Sequence, residues 1–184
     1  VFHVLESDLL EILIQARKQH QYVKTNVKSK TNVEGSTPIF FPLKFYFNAE
    51  NGRRYILAVS ETDNVELPLK LYLIRIDKIK NVKILSQKME RFDEAMALLK
   101  AYEKNRWGVS IQHYPELDHI EMDICVEDEN SFILTRLTRE KKCGHVEVLD
   151  ASAHRYRYLA DVHDANELLP WIRSFIGYIE RISC

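Results

Sequence analysis

The spacing of apolar residues changes several times along the chain. Near the start, Leu9, Ile12, Leu13 and Ala16 recur at helical intervals. Asp8 followed three residues later by Glu11 has the form of a capping box, so the pattern predicts a short amphipathic helix from there to about His20. From Tyr22 to about Lys30 the period falls to two, with Val23, Thr25 and Val27 alternating with Lys24, Asn26 and Lys28, which predicts a strand. Thr31 to Pro38 carries Asn, Gly, Ser and Pro and is expected to be a loop. Two β-rich runs, Phe40 to Phe47 and Arg54 to Val59, flank Asn51-Gly52, a strong short-range signal for a hairpin. Pro68 suits the start of an edge strand, and Leu69 to Ile76 followed by Ile79 to Leu85 predicts one long or twice-bent β segment. Short strands in succession with little helix between them predict a small, strongly bent antiparallel barrel.

At Ser86 the pattern turns helical. Glu90 to Lys104 places Phe92, Ala95, Met96, Leu99 and Tyr102 on one stripe of a connecting helix. Ile120, Met122, Ile124 and Val126 then alternate with Glu121, Asp123, Cys125 and Glu127, a half-buried strand with an acidic outer face. Asp128 is placed to cap a helix carrying Phe132, Ile133 and Leu137, and Gly144 to end the connection before a strand with Val146 and Val148. Another strand is expected from Tyr156 to Val162. Asp164 and Glu167 form a second capping-box pattern ahead of Leu168, Trp171, Ile172 and Phe175, with Pro170 starting or kinking that helix. Gly177 stops it, and Ile179 and Ile182 fall on a last strand. Residues 118–183 thus read β-α-β-β-α-β, the order of the ferredoxin-like split βαβ unit. The fold class expected is α+β. Residues 1–88 form a barrel with a leading helix, 89–105 a connecting helix, and 106–184 a βαββαβ unit.

The length of 184 residues suits one large or two small domains. With 46% hydrophobic and 29% charged residues the composition is that of a globular chain. The net charge of −1 conceals an asymmetry: residues 1–88 carry 14 Lys/Arg against 9 Asp/Glu, and residues 89–184 carry 12 against 18. A basic first half attracts phosphate-bearing ligands, although its charge falls short of the dense stripe of a duplex binder; a solvated surface gives the same asymmetry. Cys125, Cys143 and Cys184 have no close spacing, so three inert thiols in a reducing cytoplasm are expected. No apolar run reaches the roughly 18 residues of a membrane span, and Glu6, Asp8 and Glu11 stand where a secretory signal is uncharged. A cytoplasmic protein without a membrane partner is expected. The chain opens on Val1 and not on Met, which predicts residues or a domain ahead of it.

Chemistry is sparsely announced. Seven histidines include no HxxxH or HExxH pair, so no metal site is expected. No GxSxG, P-loop or GxGxxG occurs, and neither catalytic residues nor a cofactor are expected. Cys143 lies beside Lys141, Lys142 and His145, cations that lower a thiol pKa, but a surface turn has the same composition. The barrel segment says more. Lys44, Tyr46, Arg53, Arg54, Tyr55, Lys70, Tyr72, Arg75 and Lys78 lie on strands that share a small sheet. Bases stack on aromatic rings while Arg and Lys meet phosphate, which is how open barrels hold single strands or nucleotides; core tyrosines beneath solvated cations give the same pattern.

These residues also carry a resemblance. Phe41-Pro42-Leu43-Lys44-Phe45, Asn51-Gly52-Arg53-Arg54-Tyr55-Ile56-Leu57-Ala58 and Ile74-Arg75-Ile76-Asp77-Lys78-Ile79-Lys80-Asn81-Val82 resemble the WYL domain of bacterial helix-turn-helix transcription regulators. Trp107-Gly108-Val109 through Glu167-Leu168-Leu169-Pro170-Trp171-Ile172-Arg173-Ser174-Phe175 is similar to the C-terminal extension that follows such domains. The signature Trp-Tyr-Leu stands here as Arg54-Tyr55-Ile56, the Arg expected near Pro38 is missing, and Lys78 stands where the pattern has a second Arg. The resemblance implies an Sm/SH3-like barrel that senses an effector, with single-stranded DNA or a nucleotide as ligand class. It also implies a winged helix-turn-helix ahead of this chain to meet promoter DNA.

Two readings follow. In one, this is the regulatory part of a homodimeric transcription regulator whose ligand engages Tyr55, Arg75 and Lys78, with Arg53, Tyr72 and Lys44 around them. In the other, the chain is an oligomerisation or protein-interaction module without a small ligand, which the missing Arg and near-neutral charge favour. No catalytic constellation supports an enzyme.

Overall fold

A computed structural model of the protein describes residues 6–27, 38–48, 51–63, 68–111, 114–128 and 131–184. The chain is α+β, with two antiparallel sheets in two compact units, Val1–Lys100 and Ala101–Cys184.

The first unit begins with α1 (Glu6–Lys18), followed by β1 (Gln21–Val27), β2 (Ile39–Asn48), β3 (Arg53–Glu61), β4 (Leu69–Arg75) and β5 (Ile79–Lys88). The sheet order is β4-β3-β2-β1-β5, so the two edge strands are consecutive in sequence. Only a 3-10 turn, Ile76–Lys78, joins them. At about 2 Å per residue that turn spans roughly 6 Å, and the sheet must curl until its edges approach there. Among the described residues no ladder joins β4 to β5, so this is a curled sheet open at one seam. Curling is helped by a register shift between Pro42 and Lys44, which bends β2 against β3. Leu9, Leu13 and Ala16 of α1 fill the concave side against Val23, Phe40, Ile56, Ala58, Ile76 and Ile79. Gly52 takes φ +66 in the β2–β3 turn, the left-handed conformation that the Asn-Gly pair predicts.

The boundary between the units falls inside α2 (Phe92–Lys104), which buries Ala95, Leu99 and Tyr102 of the expected stripe. The second unit comprises β6 (Asp118–Cys125), α3 (Phe132–Glu140), β7 (His145–Asp150), β8 (Arg155–Val162), a 3-10 turn (Ala165–Glu167), α4 (Leu169–Arg173) and β9 (Ile179–Ser183). Its sheet order, β7-β8-β6-β9, is that of the split βαβ unit. Ile120, Met122, Ile124, Tyr156, Tyr158 and Ala160 form one face of the sheet, on which Ile133 and Leu137 of α3 and Leu168, Ile172 and Phe175 pack. The acidic strand pattern of β6 is thereby resolved into a core face and a polar face.

Several local expectations fail for identifiable reasons. Asp8 is not a cap, because α1 already begins at Glu6 and places Asp8 inside the helix. Asp128 does not cap α3. The N-cap is Ser131, whose Oγ accepts from Ile133 N at 3.2 Å. Asp164 does cap its 3-10 turn, accepting from Asn166 N, but Glu167 turns away from it. Pro170 lies at the start of α4, where its missing N–H costs nothing, and the five-residue α4 is shorter than the pattern implies. The expected loop over 31–37 and the end of the first strand at 28–30 lie outside the described residues.

Candidate functional site

Antiparallel register decides which predicted residues meet. Residues directly opposite share a face, and faces alternate along each strand. Tyr46 on β2 stands opposite Tyr55 on β3, which in turn stands opposite Arg75 on β4. The three form one row across the sheet. Lys44 lies two residues before Tyr46 on that face, with its Nζ 5.6 Å from the centre of the Tyr46 ring, a cation–π distance. Tyr72 pairs with Ala58 and belongs to the opposite face, with Ile56 and Ile74. The register therefore separates Tyr72 from the rest of the predicted set.

Just beyond β4 the chain bends. Arg75 and Asp77 form a bidentate pair, Nε to Oδ1 at 3.0 Å and Nη2 to Oδ2 at 2.6 Å. The Asp77 carboxyl is held below its ordinary pKa, first by the hydrogen bond from Arg75 and further by the charges of Lys78 and Arg53. Those four charged groups thus occupy one neighbourhood, although Arg53 lies on a different strand and Lys78 on the 3-10 turn. In a straight strand Lys78 would point away from Arg75; the 3-10 turn at Ile76–Lys78 interrupts that alternation between them. The Arg75 guanidinium spends two of its five N–H groups on Asp77, leaving three to donate elsewhere.

Tyr46 and Tyr55 are the least accessible members, each 8% exposed. The Tyr55 hydroxyl accepts a 3.5 Å hydrogen bond from Asn51 Nδ2 in the adjoining turn. Arg53 is exposed, and Lys44, Arg75 and Lys78 are half-buried. The arrangement is a rim of cations around an aromatic row, with one carboxylate among them, and it suits a phosphate beside a flat ring. Tyr46, Asp77 and Asn51 complete the neighbourhood outside the predicted set. Tyr46 was legible as the aromatic before the hairpin, but its partnership with Tyr55 depends on the number of turn residues; Asp77 was legible through its place two residues from Arg75.

Among the described residues no group of three or more His, Cys, Asp or Glu side chains is arranged to hold a metal ion. Burial pushes the Cys143 thiol pKa up and outweighs the lowering by Lys141 and Lys142, so the cations read from the sequence do not activate it. Among the described residues no helix is long and apolar enough to cross a membrane.

No family model and no curated protein matches the chain. Among the solved structures similar to it are two that match over nearly its whole length. One is proteasome accessory factor B/C of Arthrobacter aurescens, with a TM-score of 0.41 and 11% identity over 100% of this chain and 25% of that one. The other is a CRISPR Cas-related protein, with a TM-score of 0.49 and 10% identity over 96% of this chain and 48% of that one. The chain therefore spans about a quarter of the length of the first and about half of the second.

Proposed function

We infer that the chain is the effector-sensing part of a bacterial transcription regulator and binds a phosphate-bearing ligand, single-stranded nucleic acid or a nucleotide, on the outer face of its curled sheet. The observation that carries this reading is the Tyr46-Tyr55-Arg75 row with Lys78 and Arg53 gathered at its end. Arg75 and Lys78 meet phosphate, and Lys44 and Arg53 extend the positive field around the Tyr46 and Tyr55 rings. Asp77 holds the Arg75 guanidinium in one orientation and excludes ligands too weak to compete for it. Differential binding to two arrangements of a homodimer then alters the affinity of a preceding helix-turn-helix for promoter DNA. No step of this account requires catalysis or a cofactor.

The burial of Tyr46 and Tyr55 favours the alternative, a protein-interaction or oligomerisation module, because rings 8% exposed offer little surface to a base. A thermal-shift screen of short single-stranded DNA, short RNA and nucleotides separates the two. The sensing account expects at least one phosphate-bearing compound to raise the melting temperature of the wild type and not of Arg75→Ala. A screen in which none does so supports the interaction module.

A further inference from the structure

The opposite face of the β3–β4 ladder carries a second feature, which the sensing site leaves unused. A groove of about 520 Å³ opens there, with Ile39, Phe40, Ser60, Tyr72 and Ile74 among its lining. The volume lies within the range of small-molecule sites, roughly 300–1,000 Å³. Its floor is the unit's own core, since Phe40 is fully buried and Ile74 packs against the same cluster beneath α1. Its rim is apolar and open to water: Ile39 is 44% and Tyr72 38% exposed.

Register also places a cation beside the groove. Lys70 stands directly opposite Ser60, two residues before Tyr72 on the same face. Its Nζ lies 5.6 Å from the centre of the Tyr72 ring. Among the described residues Lys70 makes no ion pair with a carboxylate. A hydroxyl and an ammonium therefore lie beside an aromatic and aliphatic trough. Those are the elements that orient a flat ring bearing an anionic group: the ring lies against Tyr72, Ile74 and Ile39, and the anion reaches Ser60 and Lys70.

We propose that this groove is a second ligand site, for a small aromatic anion such as an aryl carboxylate or aryl sulfonate. It is independent of the phosphate-binding reading, because Tyr55 and Arg75 lie on the other face of the same two strands. Two ligands on opposite faces of β4 bias the same strand, so the groove is placed to tune the affinity of the outer face.

The test is a fluorescence titration of the full chain with anilinonaphthalene sulfonate, with neutral phenylnaphthylamine as its uncharged counterpart. Circular dichroism melts establish that each variant is folded. The wild type is expected to bind the sulfonate saturably at one site. Lys70→Glu weakens the sulfonate by about tenfold while changing the neutral dye by less than about threefold. Tyr72→Ala weakens both dyes, and Arg75→Ala weakens neither. The proposal is overturned if the wild type shows no saturable binding, if Lys70→Glu and Tyr72→Ala bind the sulfonate as the wild type does, or if Arg75→Ala abolishes it.

Discussion

Tyr55 is the residue on which the sensing and scaffolding readings diverge most. Its ring is core by burial, yet its hydroxyl ends at Asn51 in an exposed turn. Tyr55→Phe removes only that long hydrogen bond and is expected to change stability by less than about 1 kcal/mol. Tyr55→Ala leaves a cavity and is expected to cost about 3–5 kcal/mol in a urea titration. Only Tyr55→Phe is therefore suitable for binding work. A second residue-scale case is Asp123, assigned by alternation to a solvated acidic face but only 6% exposed. Arg157 covers it with a bidentate pair, Nε to Oδ1 at 2.6 Å and Nη2 to Oδ2 at 2.8 Å. That hydrogen bonding holds the Asp123 carboxyl below its ordinary pKa, so the folded chain binds this proton less readily than the unfolded one. The stabilisation is complete above the unfolded carboxylate value of about 4 and disappears as pH falls through the depressed one. Asp123→Asn should lower the melting temperature by roughly 5–10 °C at pH 7, and the gap to wild type should narrow by pH 3. An equal gap at both pH values would remove the pair from the account.

At the scale of elements, period and turn chemistry made most strands legible, because a half-buried strand must alternate and a hairpin must accommodate a positive φ. Register was not legible. The row from Tyr46 to Arg75 depends on the length of the turn after Asn48 and on the β3–β4 register, and neither has a signature in spacing alone. Glu167 illustrates the same limit. It matches a capping box by position, but its carboxylate crosses to a distant loop and accepts three backbone N–H groups, from Gly108 at 2.9 Å, Val109 at 2.7 Å and Ser110 at 3.0 Å. A tertiary partner nearly 60 residues away outcompetes the local one. Gly108 leaves room opposite it, since a Cβ there would push that carboxylate off its three N–H partners. Glu167→Ala should destabilise the second unit by roughly 2–3 kcal/mol, and Glu167→Gln should not restore it, because an amide replaces one acceptor with a donor. Wild-type stability of Glu167→Gln in a thermal melt would show that the three N–H groups find other partners.

For the whole molecule, the two-sheet α+β organisation was readable from the change of period at Ser86, and the compact units divide within α2, the helix read as their connection. A sensor that alters DNA affinity is most simply a symmetric dimer, as palindromic operators require two-fold proteins. Light scattering at concentrations well above micromolar is expected to give twice the 21.7 kDa chain mass; a monomer there would contradict a dimer contact within this chain. The central claim remains the cationic and aromatic outer face. Fluorescence anisotropy of a labelled single-stranded oligonucleotide, titrated with the chain from low to physiological salt, tests it most directly. The account predicts binding that weakens linearly in log–log form as salt rises, with a folded Arg75→Ala variant binding more weakly for every sequence and with a salt slope lower by about one. Absence of binding by the wild type at low salt, or equal affinity and slope for Arg75→Ala, would contradict it.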